Sequence, residues 1–266
     1  MDSLSQNPLV SVVIPTYNRS ASVRQAVESV LAQNYRPLEP IVVDDGSDDD
    51  TAALLRPMAE SGRLRLISQP NRGVSAARNT GIMASKGALI AFLDSDDEWL
   101  PGKVEAQVDY FRRNPEAVLV QTQERWMRQG RRVNPGRKHL KKAGDIFLDS
   151  LKLCLISPSA VMLKKSLLDE VGLFDENLPA CEDYDLWLRV LVKYPAGLID
   201  REYLIRHGGR PDQLSAAHSL DQYRAAALEK ILRQPLSPDR RLAAEEELHI
   251  RRSIYEAGRA KRNSIF

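Results

Sequence analysis

Three of the four short apolar runs in the first hundred residues end abruptly in polar clusters, and helical patterns separate the runs. Residues 10–14 are dominated by valine and isoleucine and read as a buried strand. Pro15, Thr16, Tyr17, Asn18 and Arg19 break that run, after which Val23, Ala26, Val27, Val30 and Leu31 recur at helical spacing. A second strand over 41–43 ends in Asp44 and Asp45. A helix is predicted over 51–61, with Gly62 at its C-terminal stop. A strand over 64–67, a helix over 74–85 closing at Gly87, and a strand over 88–93 running into Asp94 complete the series.

This alternation predicts an α/β fold with a Rossmann-like, mostly parallel sheet flanked by helices on both faces. Ligands of such sheets bind outside the carboxyl ends of the strands. The clusters at 15–19, 44–47 and 94–97 stand at those ends, so the topology brings them to one edge despite their distance in sequence.

Beyond residue 100 the pattern predicts a helix over 100–113, strands over 118–121 and 159–163, and a basic loop at 128–142. Tyr184, Trp187, Leu188 and Leu191 have helical spacing, and from Leu220 onward the chain reads as a C-terminal helical extension broken between Pro235 and Pro238. With 266 residues and 43% hydrophobic content, the chain is an ordinary globular length and composition. Its net charge of +2 is neutral on nucleic-acid binding. The cluster Arg251, Arg252, Arg259, Lys261 and Arg262 reads as a solvated helix face or, alternatively, as a contact for an anionic membrane surface or acidic partner. Cys154 and Cys181 make no disulfide framework, no apolar run approaches the ~20 residues of a membrane span, and residues 1–10 lack a signal-peptide pattern. A cytoplasmic setting is expected.

The acidic clusters carry the chemistry. Asp94, Ser95, Asp96 and Asp97 follow a buried strand directly, and carboxylates in that place suit a hard divalent cation, magnesium or manganese, shared with substrate phosphates. A solvated acidic turn is the bland alternative. Asp44 and Asp45 stand at a strand end, where a carboxylate accepts hydrogen bonds from a base; Asp48, Asp49 and Asp50 suit a helix N-terminus instead. Glu182 and Asp183 open the helix carrying Tyr184, as helix-dipole partners or, at Asp183, as a general base. His207 lies in a glycine-rich polar loop and more often such a histidine is structural. Zinc spacing, a dinucleotide glycine motif, a phosphate-binding P-loop, a nucleophile elbow and a calcium loop are all missing from the sequence.

Five segments in order closely resemble glycosyltransferase family 2: residues 11–19, 42–47, 71–82, 92–99 and 182–189. The resemblance spans roughly 9–215. It implies the GT-A fold and an inverting, metal-dependent transfer from a nucleotide-diphosphate-sugar, by default a UDP-sugar, to an acceptor hydroxyl. The family's processive Gln-x-x-Arg-Trp motif is missing, which implies a single addition. Carried onto this chain, Tyr17 would stack on the base and Asp45 bond to it, with Pro15, Thr16, Arg19 and Ser95 in the same nucleotide pocket. Asp94 would lie near the ribose or metal shell, and Arg78 near the diphosphate. Asp96 would hold the divalent cation (Mn2+ or Mg2+), with His207 completing its shell, and Asp183 would take the acceptor's proton. Residues 1–115 would then be the nucleotide-sugar half, 116–215 the acceptor half with the base, and 216–266 the extension. The acceptor would be a glycan, a lipid-linked molecule or a protein, with no nucleic-acid partner. A nucleotide-sugar-binding or scaffolding relative without transferase activity is the alternative reading, and a nucleotidyltransferase a third.

Overall fold

The computed structural model describes residues 7–134, 136–209 and 220–263, the last three of these by backbone alone. The first half alternates as the pattern demands: β1 Val10–Thr16, α1 Val23–Leu31, β2 Leu38–Asp44, α2 Thr51–Glu60, β3 Arg65–Ser68, α3 Val74–Ala84 and β4 Leu89–Phe92. After the two-residue strand β5 (Glu98–Trp99) come α4 Lys103–Arg113, β6 Leu119–Arg128, β7 Arg131–Val133, α5 Phe147–Lys152, β8 Val161–Lys164, α6 Lys165–Val171, α7 Glu182–Leu191 and β9 Gly197–Gly208. Helices α8 Leu220–Leu232 and α9 Pro238–Asn263 form the C-terminal extension.

The strands join in the order β3-β2-β1-β4-β8-β6-β9-β5, with β7 paired to β6. Strands β3, β2, β1 and β4 are mutually parallel, whereas β8 runs antiparallel to both β4 and β6. The sheet is therefore mixed, with its parallel character concentrated in the first half and in the β6–β9 pair. The sequence between β5 and β9 shows weaker alternation, and β6 runs seven residues past the predicted end at 121, to Arg128. The predicted basic loop at 128–142 contains β7 and a turn of 3-10 helix at Arg137–His139.

Successive strand residues point to opposite faces, and two cores result. Val13, Ile90 and Phe92 pack under α5, α6, α7, α8 and α9, through residues such as Phe147, Leu168, Trp187, Leu228 and Ala244. Val12, Ile14, Leu89 and Ala91 pack on the other face, under α1, α2 and α4. No helix among the described residues is long and apolar enough to cross a membrane.

Helix α3 comes unusually close to β1. A Cβ built on Gly81 would stand 2.3 Å from Cγ1 of Val13, so a side chain there must displace the strand or the helix that carries the site. Gly81→Ala is expected to lower stability by about 1–3 kcal/mol. In a Val13→Ala background the loss shrinks, a coupling that a double-mutant cycle of urea unfolding reads directly.

Candidate functional site

The turn after β1 is stapled to the turn after β2. Asn18 adopts a left-handed conformation (φ 49°). Its N–H donates to Ser47 Oγ at 2.9 Å, and the Asp48 N–H donates back to Asn18 Oδ1 at 3.0 Å. The Arg19 N–H reaches Thr51 Oγ1 at 2.9 Å, while Asp44 accepts from both the backbone and the hydroxyl of Ser47. Asp49 accepts from the N–H groups of Ser20 and Thr51, which is the helix-start role its position predicted. Pro15 and Thr16 are buried beneath, and Thr16 Oγ1 is buried without a hydrogen-bond partner among the described residues. Above this frame the Tyr17 side chain stands 45% exposed, an aromatic face held by a rigid turn.

Asp45 is buried and organises the entry to α3. Its Oδ1 accepts from Gln69 Nε2 at 2.7 Å and from the Arg72 N–H at 3.0 Å, and its Oδ2 accepts from the Gly73 N–H at 2.8 Å. A carboxylate at a helix N-terminus is stabilised by these backbone donors. A base N–H would share Oδ2, the oxygen with one partner.

Arg78 projects from α3 into the centre. Its Nη2 reaches Asp94 Oδ1 at 2.8 Å and its Nη1 reaches Glu182 Oε1 at 2.5 Å. The guanidinium lies 5.2 Å from the centroid of Phe174, and its Nε is buried without a hydrogen-bond partner among the described residues. Burial works against the charge of Arg78, but Asp94 and Glu182 outweigh it and hold the guanidinium firmly protonated. For Glu182 burial is the larger influence and pushes its carboxyl up, although Arg78 opposes this. The guanidinium keeps its charge between the two carboxyl groups. The sequence marked Glu182 only as a neighbour of Asp183; its partner is 104 residues away, and no local pattern reveals that.

The acids after β4 separate by environment. Asp94 and Asp96 are half-buried, while Ser95 and Asp97 are buried. Burial, then the charges of Asp94 and Asp96, raises the Asp97 carboxyl well above its ordinary range. Asp97 Oδ1 accepts from the His207 N–H at 3.1 Å, which ties the end of β9 to the acids. His207 Nε2 lies 3.9 Å from Glu98 Oε2. The rest of the glycine-rich loop after Gly209 lies outside the described residues, as do the side chains of Lys261 and Arg262 and the first six residues.

The described residues contain no group of three or more His, Cys, Asp or Glu side chains arranged to hold a metal by themselves. The donor set is nonetheless of the right chemistry. Three carboxylates crowd one strand end, and their mutual repulsion is what a divalent cation relieves. Magnesium and manganese take one or two carboxylates and complete their shells with water and phosphate oxygens. The half-buried Asp94 and Asp96 supply carboxylates of that number, with the rest of the shell left to a ligand's phosphate oxygens and water.

Asp183 is half-buried in the first turn of α7. Its Oδ1 accepts from the Tyr184 N–H at 2.7 Å, and the Cys154 thiol lies 3.6 Å from Oδ2. Burial and then the nearby Asp183 carboxylate push the Cys154 thiol well up. Cys181, the residue before α7, adopts a left-handed conformation (φ 61°), a strained backbone of the kind found where a structure fixes a functional side chain.

Sequence reasoning passed over a buried ion network beside this site. Glu124 bonds Ser157 at 2.6 Å and Trp126 Nε1 at 2.7 Å, and pairs with Lys141 at 3.3 Å and Arg206 at 3.5 Å. Burial opposes the charge of Arg206, but the carboxylates of Glu124, Asp97, Asp94 and Asp183 outweigh it and raise the guanidinium further, and the neighbouring His207 bonds Asp97. Its signal was faint: one arginine beside His207.

Two predictions follow from these charges. Removing one member of a buried pair strands the others, so Arg78→Met is expected to cost about 3–5 kcal/mol in urea unfolding, far more than an exposed arginine. Burial opposes the charge of Glu124, but Lys141 and Arg206 outweigh it and hold its carboxyl down from 4.5 to about 2. A carboxyl lowered in the folded state stabilises fully above its unfolded value and loses that contribution as pH falls through the folded one. Stability is therefore expected to decline between about pH 4.5 and 2 by on the order of 3 kcal/mol, and Glu124→Gln flattens this decline in acid-titrated unfolding curves.

Comparison with known proteins agrees with this geometry. The family model described as Glycosyl transferase family 2 matches residues 11–172. An uncharacterized glycosyltransferase of Rickettsia typhi is 31% identical, over 89% of this chain and 76% of that protein. The Escherichia coli enzyme WfaP, named UDP-Glc:alpha-D-GlcNAc-diphosphoundecaprenol beta-1,3-glucosyltransferase, is 30% identical over 75% of this chain and 78% of its own length. Among solved structures, S. aureus TarS in complex with UDP-GlcNAc superposes with a TM-score of 0.73 at 19% identity, covering 90% of this chain and 70% of that one. A mannosyltransferase from Pyrobaculum calidifontis, in complex with GDP-Man and Mn2+, gives a TM-score of 0.67 at 22% identity, over 92% and 71% of the two chains.

Proposed function

The chain belongs to glycosyl transferase family 2 and has the GT-A fold, and from that premise we propose that it transfers one sugar, with inversion, from a nucleotide-diphosphate-sugar to an acceptor hydroxyl. The observation that carries this reading is the convergence of an aromatic platform, Tyr17 after β1, an acid cluster, Asp94 to Asp97 after the neighbouring parallel strand β4, and the helix start that carries Asp183, which buried Arg78 joins to the acid cluster through Asp94 and Glu182. A UDP-sugar is the favoured donor, supported by WfaP and by the UDP-GlcNAc complex of TarS. A glycan or lipid-linked acceptor in surface-glycan synthesis is supported by WfaP.

In this mechanism Tyr17 stacks on the base and Asp45 accepts its N–H, with Pro15 and Thr16 lining the pocket. Arg19 and Ser95 line the same pocket, and Arg78 holds Asp94 where the diphosphate arrives. Asp96, with His207 near it, would hold a divalent cation, which supplies charge stabilisation to the departing diphosphate. The Mn2+ in the mannosyltransferase complex supports that choice of ion. Asp183 removes the proton of the acceptor hydroxyl as its oxygen bonds to the anomeric carbon; the bond from that carbon to the diphosphate breaks, and the nucleoside diphosphate leaves on the opposite face. General-base assistance of this kind is worth ~10²–10⁴ in rate.

In this reading residues 1–115 bind the donor, 116–215 bind the acceptor and carry the base, and 216–266 form the helical extension. A peripheral contact of that extension with an anionic membrane is part of the proposal; Leu242, Ile250 and Ile254 are exposed on α9.

Asp183→Asn is expected to keep nucleoside-diphosphate binding and lose transfer by at least about a hundredfold; full transfer by this variant overturns the assignment. Manganese is expected to raise the thermal stabilisation given by a nucleoside diphosphate, and Asp96→Ala to abolish that manganese increment. Equal stabilisation with and without the ion contradicts the metal role.

A further inference from the structure

Residues 125–142 contain eight arginines and lysines and no acidic residue. Half of these cations are tied down. Arg125 and Arg132 share Glu202, Lys142 pairs with Asp149, and Lys141 is buried against Glu124. Arg128, Arg131, Arg137 and Lys138 are exposed and form no ion pair with a described residue. Four exposed, unopposed cations in so short a stretch give this surface a positive potential that attracts anions.

The position of this surface relates it to the site. Strand β6 runs beside β9 with Trp126 opposite Arg206, Met127 opposite His207 and Arg128 opposite Gly208. Strand β7 folds back so that Arg131 faces Arg128. Residues alternate along a strand, so Glu124, Trp126 and Arg128 share a face. The first of these pairs with Arg206, and the Arg206 guanidinium lies 5.3 Å from the Trp126 ring centroid. His139 packs against the same ring at 5.1 Å. A basic and aromatic track therefore leads from Asp97, which holds the backbone of His207, by way of Arg206 and Trp126, to Arg128 and Arg131 on the hairpin and to Arg137 and Lys138 beside His139.

We propose that this track is the acceptor-binding surface and that the acceptor is a linear polyanion, a carbohydrate or polyol chain bearing repeated anionic groups. The inference rests on the transferase reading given above. Arginine forks match phosphate and carboxylate oxygens bidentately, and the half-buried Trp126, packed between Arg206 and His139, stiffens the strand that presents them. A membrane surface is disfavoured as the occupant. Interfacial binding needs apolar anchors beside the cations, and Leu140 is the one large exposed hydrophobic side chain among the described residues of this stretch.

The test compares the full chain with a variant carrying Arg128→Gln, Arg131→Gln, Arg137→Gln and Lys138→Gln. The probes are a fluorescent poly(glycerol phosphate) oligomer, a neutral dextran of equal length, and phosphatidylglycerol vesicles. Wild type is expected to bind the phosphate oligomer and not the dextran, with affinity that falls steeply as salt rises. The variant is expected to bind the oligomer about tenfold more weakly or worse, while its melting temperature and its binding of a nucleoside diphosphate stay as in wild type. A second variant with Arg128→Lys, Arg131→Lys and Arg137→Lys, and Lys138 kept, is expected to retain most of the wild-type affinity. Equal oligomer binding by wild type and variant overturns the proposal, as does binding to vesicles alone. Failure of any nucleoside diphosphate to stabilise wild type would instead sink the transferase reading, and the acceptor role with it.

Discussion

The buried guanidinium of Arg78 is the interaction on which the rest of the site depends. It sits on α3, bonds Asp94 at the end of β4 and bonds Glu182 at the start of α7. These three elements come from both halves of the chain. A single charge thus sets the distance between the acid cluster and the helix that carries Asp183. The pair is an exacting device, because a buried ion is stabilising only while its partners stay in place. Its geometry is in turn fixed by packing. Phe174 lies under the guanidinium and packs edge-on against Phe92 and Trp187, and Gly81 lets α3 lie directly on β1.

The first half of the fold was legible because local and global signals agree there. The runs at β1, β2 and β4 are buried strands, with β3 a more exposed edge, α1 and α2 are amphipathic helices, and Gly62 has the left-handed conformation expected after α2. Legibility fell between β5 and α7 for a physical reason. Strand β6 is part buried and part exposed, changes register against β9 near Gln123, and turns into a basic hairpin. None of these features gives a clean period. The C-terminal helices were readable as helices, but their packing beneath α5 and α7 was not, since it depends on Ala227, Leu228, Ile231 and Ala244 meeting partners distant in sequence.

The site shows the same division. The clusters at strand ends were visible because topology alone brings them together. The partnerships inside them were not. Asp45 reads as a free strand-end acid, yet the structure has it holding Gln69, Arg72 and Gly73. Asp97 reads as one more member of an acidic turn, yet it is buried and grips the backbone of His207. The network around Glu124 escaped notice because a lone glutamate among basic residues looks like a surface residue until Lys141 and Ser157 close over it.

On the proposed function, one edge of the sheet holds base, diphosphate and reacting sugar between Tyr17 and Asp183. A crystal structure of the protein soaked with a nucleoside diphosphate and Mn2+ tests it most directly. The account predicts a base against the Tyr17 ring, a diphosphate beside Arg78, and a cation within roughly 2.2 Å of a carboxylate oxygen from Asp94, Asp96 or Asp97. A nucleotide bound elsewhere, for example in the open groove lined by Leu100, Arg125 and Tyr203, with the strand-end acids untouched, would contradict it.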